Sequence, residues 1–83
     1  MLSGQLVLPA GALKPAQFPA APVSESVVVE AYSTNVASVF LGTSQGAQPF
    51  EIQPGGNVTV EPDNLDELWL TGTTGDAVCY FGK

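Results

Sequence analysis

The strongest candidate for a reactive or metal-binding site is a cluster of four carboxylates in one short stretch of the chain. They are Glu61, Asp63, Asp66 and Glu67. Alternating acidic residues in a loop can bind Ca²⁺ through oxygen ligands. This stretch lacks the repeated D-x-D-x-D-G pattern of calcium loops, and Pro62 interrupts it. We expect a solvated acidic turn that discourages edge-to-edge aggregation, with a calcium site as the alternative. A glycosidase-type acid pair is favoured less, because it needs a groove lined with sugar-stacking groups.

No nucleophile and base can be paired from this sequence. It contains no histidine, and its two lysines, Lys14 and Lys83, lie near the ends of the chain. The single cysteine, Cys79, alternates within a predicted strand and is expected to be a small core residue rather than a reactive thiol. It cannot form an internal disulfide, and alone it cannot make a zinc site. We therefore predict no catalytic residue, no cofactor and no metal, and we do not expect an enzyme.

The composition restricts the classes of partner. The formal net charge is −6. Nucleic acids and anionic membranes are bound mainly through cationic side chains, so neither is an expected partner. Only 12% of residues are charged and 45% are hydrophobic, which is unlike an acidic disordered tail. The apolar runs are far shorter than a membrane helix, and residues 1–12 do not resemble a signal peptide. We expect a soluble protein made in a reducing cytoplasm.

Short strand patterns separated by turn residues occupy the chain from residue 25 onward. Alternating apolar and polar residues predict strands at 27–32, 38–42, 50–53, 57–61, 67–71 and 77–81. Ser33-Thr34-Asn35 predicts one turn, and Pro54-Gly55-Gly56 predicts a tight turn within a hairpin from about residue 48 to 61. No segment shows a helical period. We predict an all-β fold over residues 25–83, a small antiparallel β-sandwich or jelly-roll-like barrel of about six or seven strands.

Residues 1–24 differ in composition from the rest of the chain, because four prolines lie among alanines. Prolines at this density exclude a helix interior. We predict an extended arm with one short strand at residues 5–8. Six apolar residues of this segment favour burial: Leu2, Leu6, Val7, Leu8, Leu13 and Phe18. Two interpretations stay open, that they pack on their own domain or that part of the arm lies on a neighbouring chain. In the second case the β-domain should fold without residues 1–20.

A single domain of 83 residues with no disulfide or metal is marginal as an isolated monomer. Oligomerisation, or docking on a larger body, would stabilise it. Trp69 faces away from Leu68 and Leu70 in the strand alternation. It either closes the edge of the core or joins Tyr32 in an exposed aromatic anchor at a subunit contact. The predicted partner or subunit contacts are Leu6, Val7, Leu8, Leu13, Phe18, Tyr32 and Trp69.

Three segments carry a family pattern: "VVVEAYSTNVASVFLG", "FEIQPGGNVTVE" and "LDELWLTGTTGDAVCYFG". Together they resemble a recurring type of small virion structural protein of tailed bacteriophages. The upstream "GQLVLPAGA" fits the arm that commonly precedes this domain. The pattern consists of strands and turns and contains no catalytic signature.

The resemblance implies a structural role in the virion. It suggests a capsid decoration or cement protein that forms a homo-oligomer, with a trimer favoured, and stabilises the head. The implied location is the capsid surface, after synthesis in the host bacterial cytoplasm, and the implied partner is the major capsid protein or another virion protein. The alternative is a tail-tip or fibre-associated module that recognises a glycan or another virion protein. In that role Tyr32 and Trp69 would be the stacking surfaces.

Overall fold

Eight strands and one short 3₁₀-helix make up the fold in a computed structural model that describes residues 2–8 and 15–82. The helix spans Leu65–Glu67. No helix of this described part is long and apolar enough to cross a membrane. The strands are β1 (Leu2–Val7), β2 (Ala16–Gln17), β3 (Val27–Ala31), β4 (Val39–Gly42), β5 (Phe50–Ile52), β6 (Asn57–Val60), β7 (Trp69–Thr71) and β8 (Ala77–Gly82).

The strands form two four-stranded antiparallel sheets. The order is β1-β8-β3-β6 in the first sheet and β2-β7-β4-β5 in the second. Strand β4 pairs with β5, β3 with β6, β2 with β7 and β1 with β8, as in one long ribbon folded back on itself. Successive pairs of that ribbon alternate between the sheets, which is the eight-stranded jelly roll. The prediction of a small all-β sandwich or jelly roll is confirmed. Strand β1 overlaps the strand predicted at residues 5–8, whereas β2 was not predicted.

The predicted hairpin over residues 48–61 is wrong, although its turn is present. Gly55 has a φ of +84°, and the Gly56 amide donates to the Gln53 carbonyl at 2.8 Å. The strands on either side of this turn belong to different sheets, so the chain arches across the sandwich. Alternation specifies which face of a strand is apolar, but it does not specify the partner strand.

The core is built from the inward faces of the two sheets. In β3, the residues Val27, Val29 and Ala31 are buried, whereas the two between them are partly exposed. The second sheet contributes Val39, Leu41 and Leu70. This alternation follows from the period of two in a strand with one face toward the core.

The segment predicted as an arm is extended where it is described, and its strands belong to both sheets. Strand β1 pairs with β8 over its whole length, from Leu2 opposite Gly82 to Val7 opposite Ala77, and β2 pairs with β7. The Phe18 ring contacts the Tyr80 ring edge-on, with centroids 5.5 Å apart. Such pairs add to the stabilisation from burial alone.

The loop between β3 and β4 is fixed by hydrogen bonds with residues 76 and 77, where β8 begins. The predicted turn at Ser33-Thr34-Asn35 is present, with the Asn35 amide donating to the Tyr32 carbonyl. The Asn35 side chain donates to the Ala77 carbonyl and accepts from the Ala77 amide, both at 2.9 Å. The buried Asp76 carboxylate accepts from the next two backbone amides, those of residues 36 and 37, at 2.9 and 3.1 Å. This end of the jelly roll is therefore held by specific polar contacts.

Candidate functional site

The acidic loop is organised around Asn64, a residue that the sequence analysis did not single out. The Asn64 side chain accepts from the amides of Ala21 and Asp66, at 3.0 and 3.2 Å. The Glu67 carboxylate accepts from the Asn64 amide at 2.9 Å, which completes a capping box on the 3₁₀-helix. Within residues 2–8 and 15–82, no three acidic, histidine or cysteine side chains are grouped so that they could hold a metal ion. The loop geometry is explained by helix capping and by its packing on residue 21.

Two of the predicted contact residues pack inside the core of their own domain. Leu8 and Phe18 are almost fully buried in the core, so the expectation that they contact a partner is corrected. Both residues are buried rather than exposed to a partner because β1 and β2 bring them between the sheets. Leu6 is half-buried and faces inward opposite Val78, whereas Val7 lies on the outer face. Leu13 lies outside the described residues.

Tyr32 and Trp69 lie on opposite outer faces of the sandwich. Trp69 is opposite Gly42 on β4 and Gln17 on β2, which places it on the outer face of the second sheet. Tyr32 follows β3 and continues the outward alternation of Val28 in the first sheet. The two aromatic residues therefore cannot form the single anchor that the sequence suggested.

A half-open apolar groove of about 430 Å³ lies beside β5 and β6, the edge strands on one side of the sandwich. This volume falls within the range of small-ligand pockets. None of the described residues that line it is charged. Its walls are formed by Leu41, Gly42, Thr43, Ser44, Ala47, Pro49, Phe50, Val58, Thr59, Val60 and Leu68.

The groove exists because, in the part of the chain that the structure describes, no strand lies beyond β5 or β6 to cover their core-facing side chains. Phe50 is opposite Leu41, so both lie on the inward face of the second sheet, yet Phe50 is 51% exposed and Leu41 only 4%. Val58 and Val60 are opposite buried residues of β3 and are themselves only partly buried. By contrast Phe18, which follows β2 on the other side of the sandwich, is only 1% exposed. The side with β5 and β6 is the open one.

One wall of the groove is the loop between β4 and β5. The Gln48 side chain donates to the carbonyls of Ser44 and Gln45, at 2.7 and 3.0 Å. This loop packs so closely on Gly42 that a Cβ there would collide with the backbone of residues 47 and 48. The wall is therefore held in place from within and does not depend on a ligand.

The sequence does not predict the groove, because its turn at residues 54–56 is that of a hairpin between β5 and β6. In a hairpin, Phe50 and Val60 would have lain side by side on one covered face. In the structure they face each other across an open gap between two sheets. The signal that could have found it is the absence of polar residues at the inward positions of both strands.

Comparison of the chain with protein-family models, with curated proteins and with solved structures finds no match. A function must therefore be inferred from the fold and from the chemistry of the surface. The described surface offers apolar contacts in the groove and on the outer faces of the sheets.

Proposed function

We propose that this chain is a non-enzymatic structural protein of a tailed-phage virion, a capsid decoration protein that oligomerises and stabilises the head. The observation that carries the proposal is the eight-stranded jelly roll, an architecture that viral capsid domains share with lectins and cupins. A fold alone does not specify a function, so we choose between these classes of protein by the chemistry of the surface. The strand and turn segments that resemble small virion proteins support the same choice.

The outer face of the first sheet suits a contact between subunits. Phe81 lies between Ser3 and Val28 across the strands and is 50% exposed. Val7 is equally exposed on the same face, and Tyr32, the residue after β3, also lies on this face. Covering such side chains stabilises an assembly by about 25 cal/mol per Å² of apolar surface. Two of the predicted contact residues, Val7 and Tyr32, thus share this outer face with Phe81, and we assign the face to the homo-oligomer, with a trimer favoured.

The proposal is tested on purified virions of the phage that encodes the chain. Quantitative mass spectrometry should detect the protein at a copy number comparable to that of the major capsid protein. Particles made without it should lose their DNA at a lower temperature, and adding back the purified protein should restore their heat resistance. Absence of the protein from intact particles would refute the proposal.

A matched pair of variants tests the assigned subunit contact. Phe81→Ser should weaken the oligomer in sedimentation equilibrium, because it removes apolar area from the contact face. Phe40→Ser, on the outer face of the other sheet, should leave the association unchanged. The reverse result would move the subunit contact to the second sheet.

A tail-tip or fibre-associated module that recognises a glycan is the second candidate. Trp69 and Phe40 share the outer face of the second sheet, and Gln17 and Thr71 supply polar groups beside them. An aromatic side chain next to hydrogen-bonding groups on an open face is suited to a sugar ring. Binding on a glycan array, abolished by Trp69→Ala, would favour this candidate, and immunogold labelling would then place the protein on the tail.

A further inference from the structure

We propose that the groove beside β5 and β6 docks an extended segment of another protein, one that carries alternating apolar residues flanked by Lys or Arg. The segment adds as a further antiparallel strand to the free edge of β6, and its inward side chains fill the groove. Strand addition of this kind combines backbone hydrogen bonds with side-chain pockets. The inference goes beyond the decoration role, since it names the chemistry of a partner and applies to the isolated protein.

The backbone of β6 is positioned to receive a strand. The Ala31 amide donates to the Gly56 carbonyl at 2.9 Å, which marks a hydrogen-bonded pair of the ladder between β3 and β6. Such pairs recur at every second residue of an antiparallel ladder, so Val58 and Val60 also direct their backbone groups toward β3. Asn57 and Thr59 then direct their N–H and C=O groups away from the sheet. Strand β6 is the last strand of its sheet in the described part of the chain.

The inward-facing side chains that line the groove on β5 and β6 belong to the same apolar layer between the sheets as the core. In an antiparallel pair, residues directly opposite each other point to the same face of the sheet. A residue of the added strand opposite Val58 or Val60 therefore points into the groove, toward Phe50. The alternate residues of that strand point to solvent. The site consequently selects an apolar residue at every second position.

Charge distinguishes a basic partner from a second copy of this chain. Every charged residue in the described part is a carboxylate, because the two lysines are residues 14 and 83. Glu51 and Glu61 each follow a residue that lines the groove. A second copy would bring another net charge of −6 to this rim, whereas Lys or Arg beside the apolar residues would be attracted to it. A complementary segment therefore comes from a different, basic protein surface.

The probe is the synthetic peptide acetyl-KTVTVTVTK-amide, titrated into the ¹⁵N-labelled full-length protein. Amide shifts should concentrate in β5 and β6, including Asn57 and Thr59. A peptide with Glu in place of both Lys should bind about tenfold more weakly at low salt, and the difference should shrink at high salt. A peptide of the same composition with its valines grouped together should not bind, because grouping destroys the alternation.

Two matched variants locate the site. Phe50→Ser should weaken peptide binding about tenfold or more, whereas Val36→Ser should leave it unchanged, although the Val36 side chain, in the loop between β3 and β4, is 82% exposed and that of Phe50 only 51%. Thr59→Pro should weaken binding as well, because it removes an outward amide while proline is tolerated in an edge strand. Circular dichroism melting of each variant establishes that it is folded.

Three results would overturn the inference. The first is peptide binding that Phe50→Ser leaves unchanged. The second is a shift pattern centred on the outer face of either sheet. The third is a native oligomer that Phe50→Ser converts to monomers in sedimentation equilibrium, since a second copy would then cover the groove. None of these bears on whether virions contain the protein, so failure here is distinguishable from failure of the decoration proposal.

Discussion

Replacement of the buried Asp76 by Asn tests how the loop between β3 and β4 is held. The Asp76 carboxylate is 3% exposed and accepts from the amides of Val36 and Ala37. Asn has almost the same volume, but only one of its two terminal atoms accepts a hydrogen bond. The substitution therefore removes one charge-assisted bond and turns an NH₂ group toward a backbone N–H.

The expected cost follows from that geometry. A hydrogen bond to a charged group contributes about 1.5–3 kcal/mol, and the opposed donors add to the loss. We expect the free energy of unfolding to fall by about 2–4 kcal/mol, out of a total of about 4–12 kcal/mol for a domain of this size. The midpoint of thermal unfolding should fall by about 10–20 °C.

Urea and thermal unfolding followed by circular dichroism measure this cost, and hydrogen exchange locates it. Amide protection at Val36 and Ala37 should drop first, because one of these two amides loses its acceptor. Asp63→Asn, at an exposed position of the acidic loop, is the matched control and should leave the midpoint unchanged. A fall of less than about 0.5 kcal/mol in Asp76→Asn, with both amides still protected, would refute the reasoning.

Three further predictions concern the fold that presents the groove. Deletion of residues 1–20 should abolish cooperative thermal unfolding, because it removes β1, β2 and the buried Phe18; a truncated chain that melts cooperatively would contradict this. Gly42→Ala should cost about 1–3 kcal/mol in urea unfolding, because the added Cβ meets the backbone of residues 47 and 48; Gly46→Ala, whose Cβ would make only an ordinary contact with the Ser44 hydroxyl at 3.7 Å, is the control. Asn64→Ala should cost about 0.5–2 kcal/mol, since it removes the cap of the 3₁₀-helix; equal stability would argue against the capping box.

The acidic stretch shows how far local chemistry could be predicted. Its four carboxylates suggested either a solvated turn or a calcium site, and the sequence left both open. The residue that organises the loop is the uncharged Asn64, through contacts with Ala21 and with Glu67. The capping box joins residues three positions apart and is readable from the sequence, but the contact with Ala21 joins segments 43 positions apart. Only the folded chain brings those two segments together.

The Pro-rich segment shows a second limit. Its prolines predicted extended structure, and the described residues are extended, but proline content carries no information about the surface on which a segment lies. Leu8 and Phe18 are buried because β1 and β2 complete the two sheets. The deletion of residues 1–20 that the sequence suggested as a test of an arm is, in the structure, a deletion of core residues.

The sequence by itself determined the fold class, since the period of two and the turn residues are local properties of the chain. It also determined which side chains face the core, as the buried Val27, Val29 and Ala31 show. Only the tertiary structure decided which strands pair, because the turn at Pro54-Gly55-Gly56 fits a hairpin and an arch equally well. That one difference separates β5 from β6 and opens the apolar groove between them, because an arch leaves two sheet edges where a hairpin would have left a covered pair.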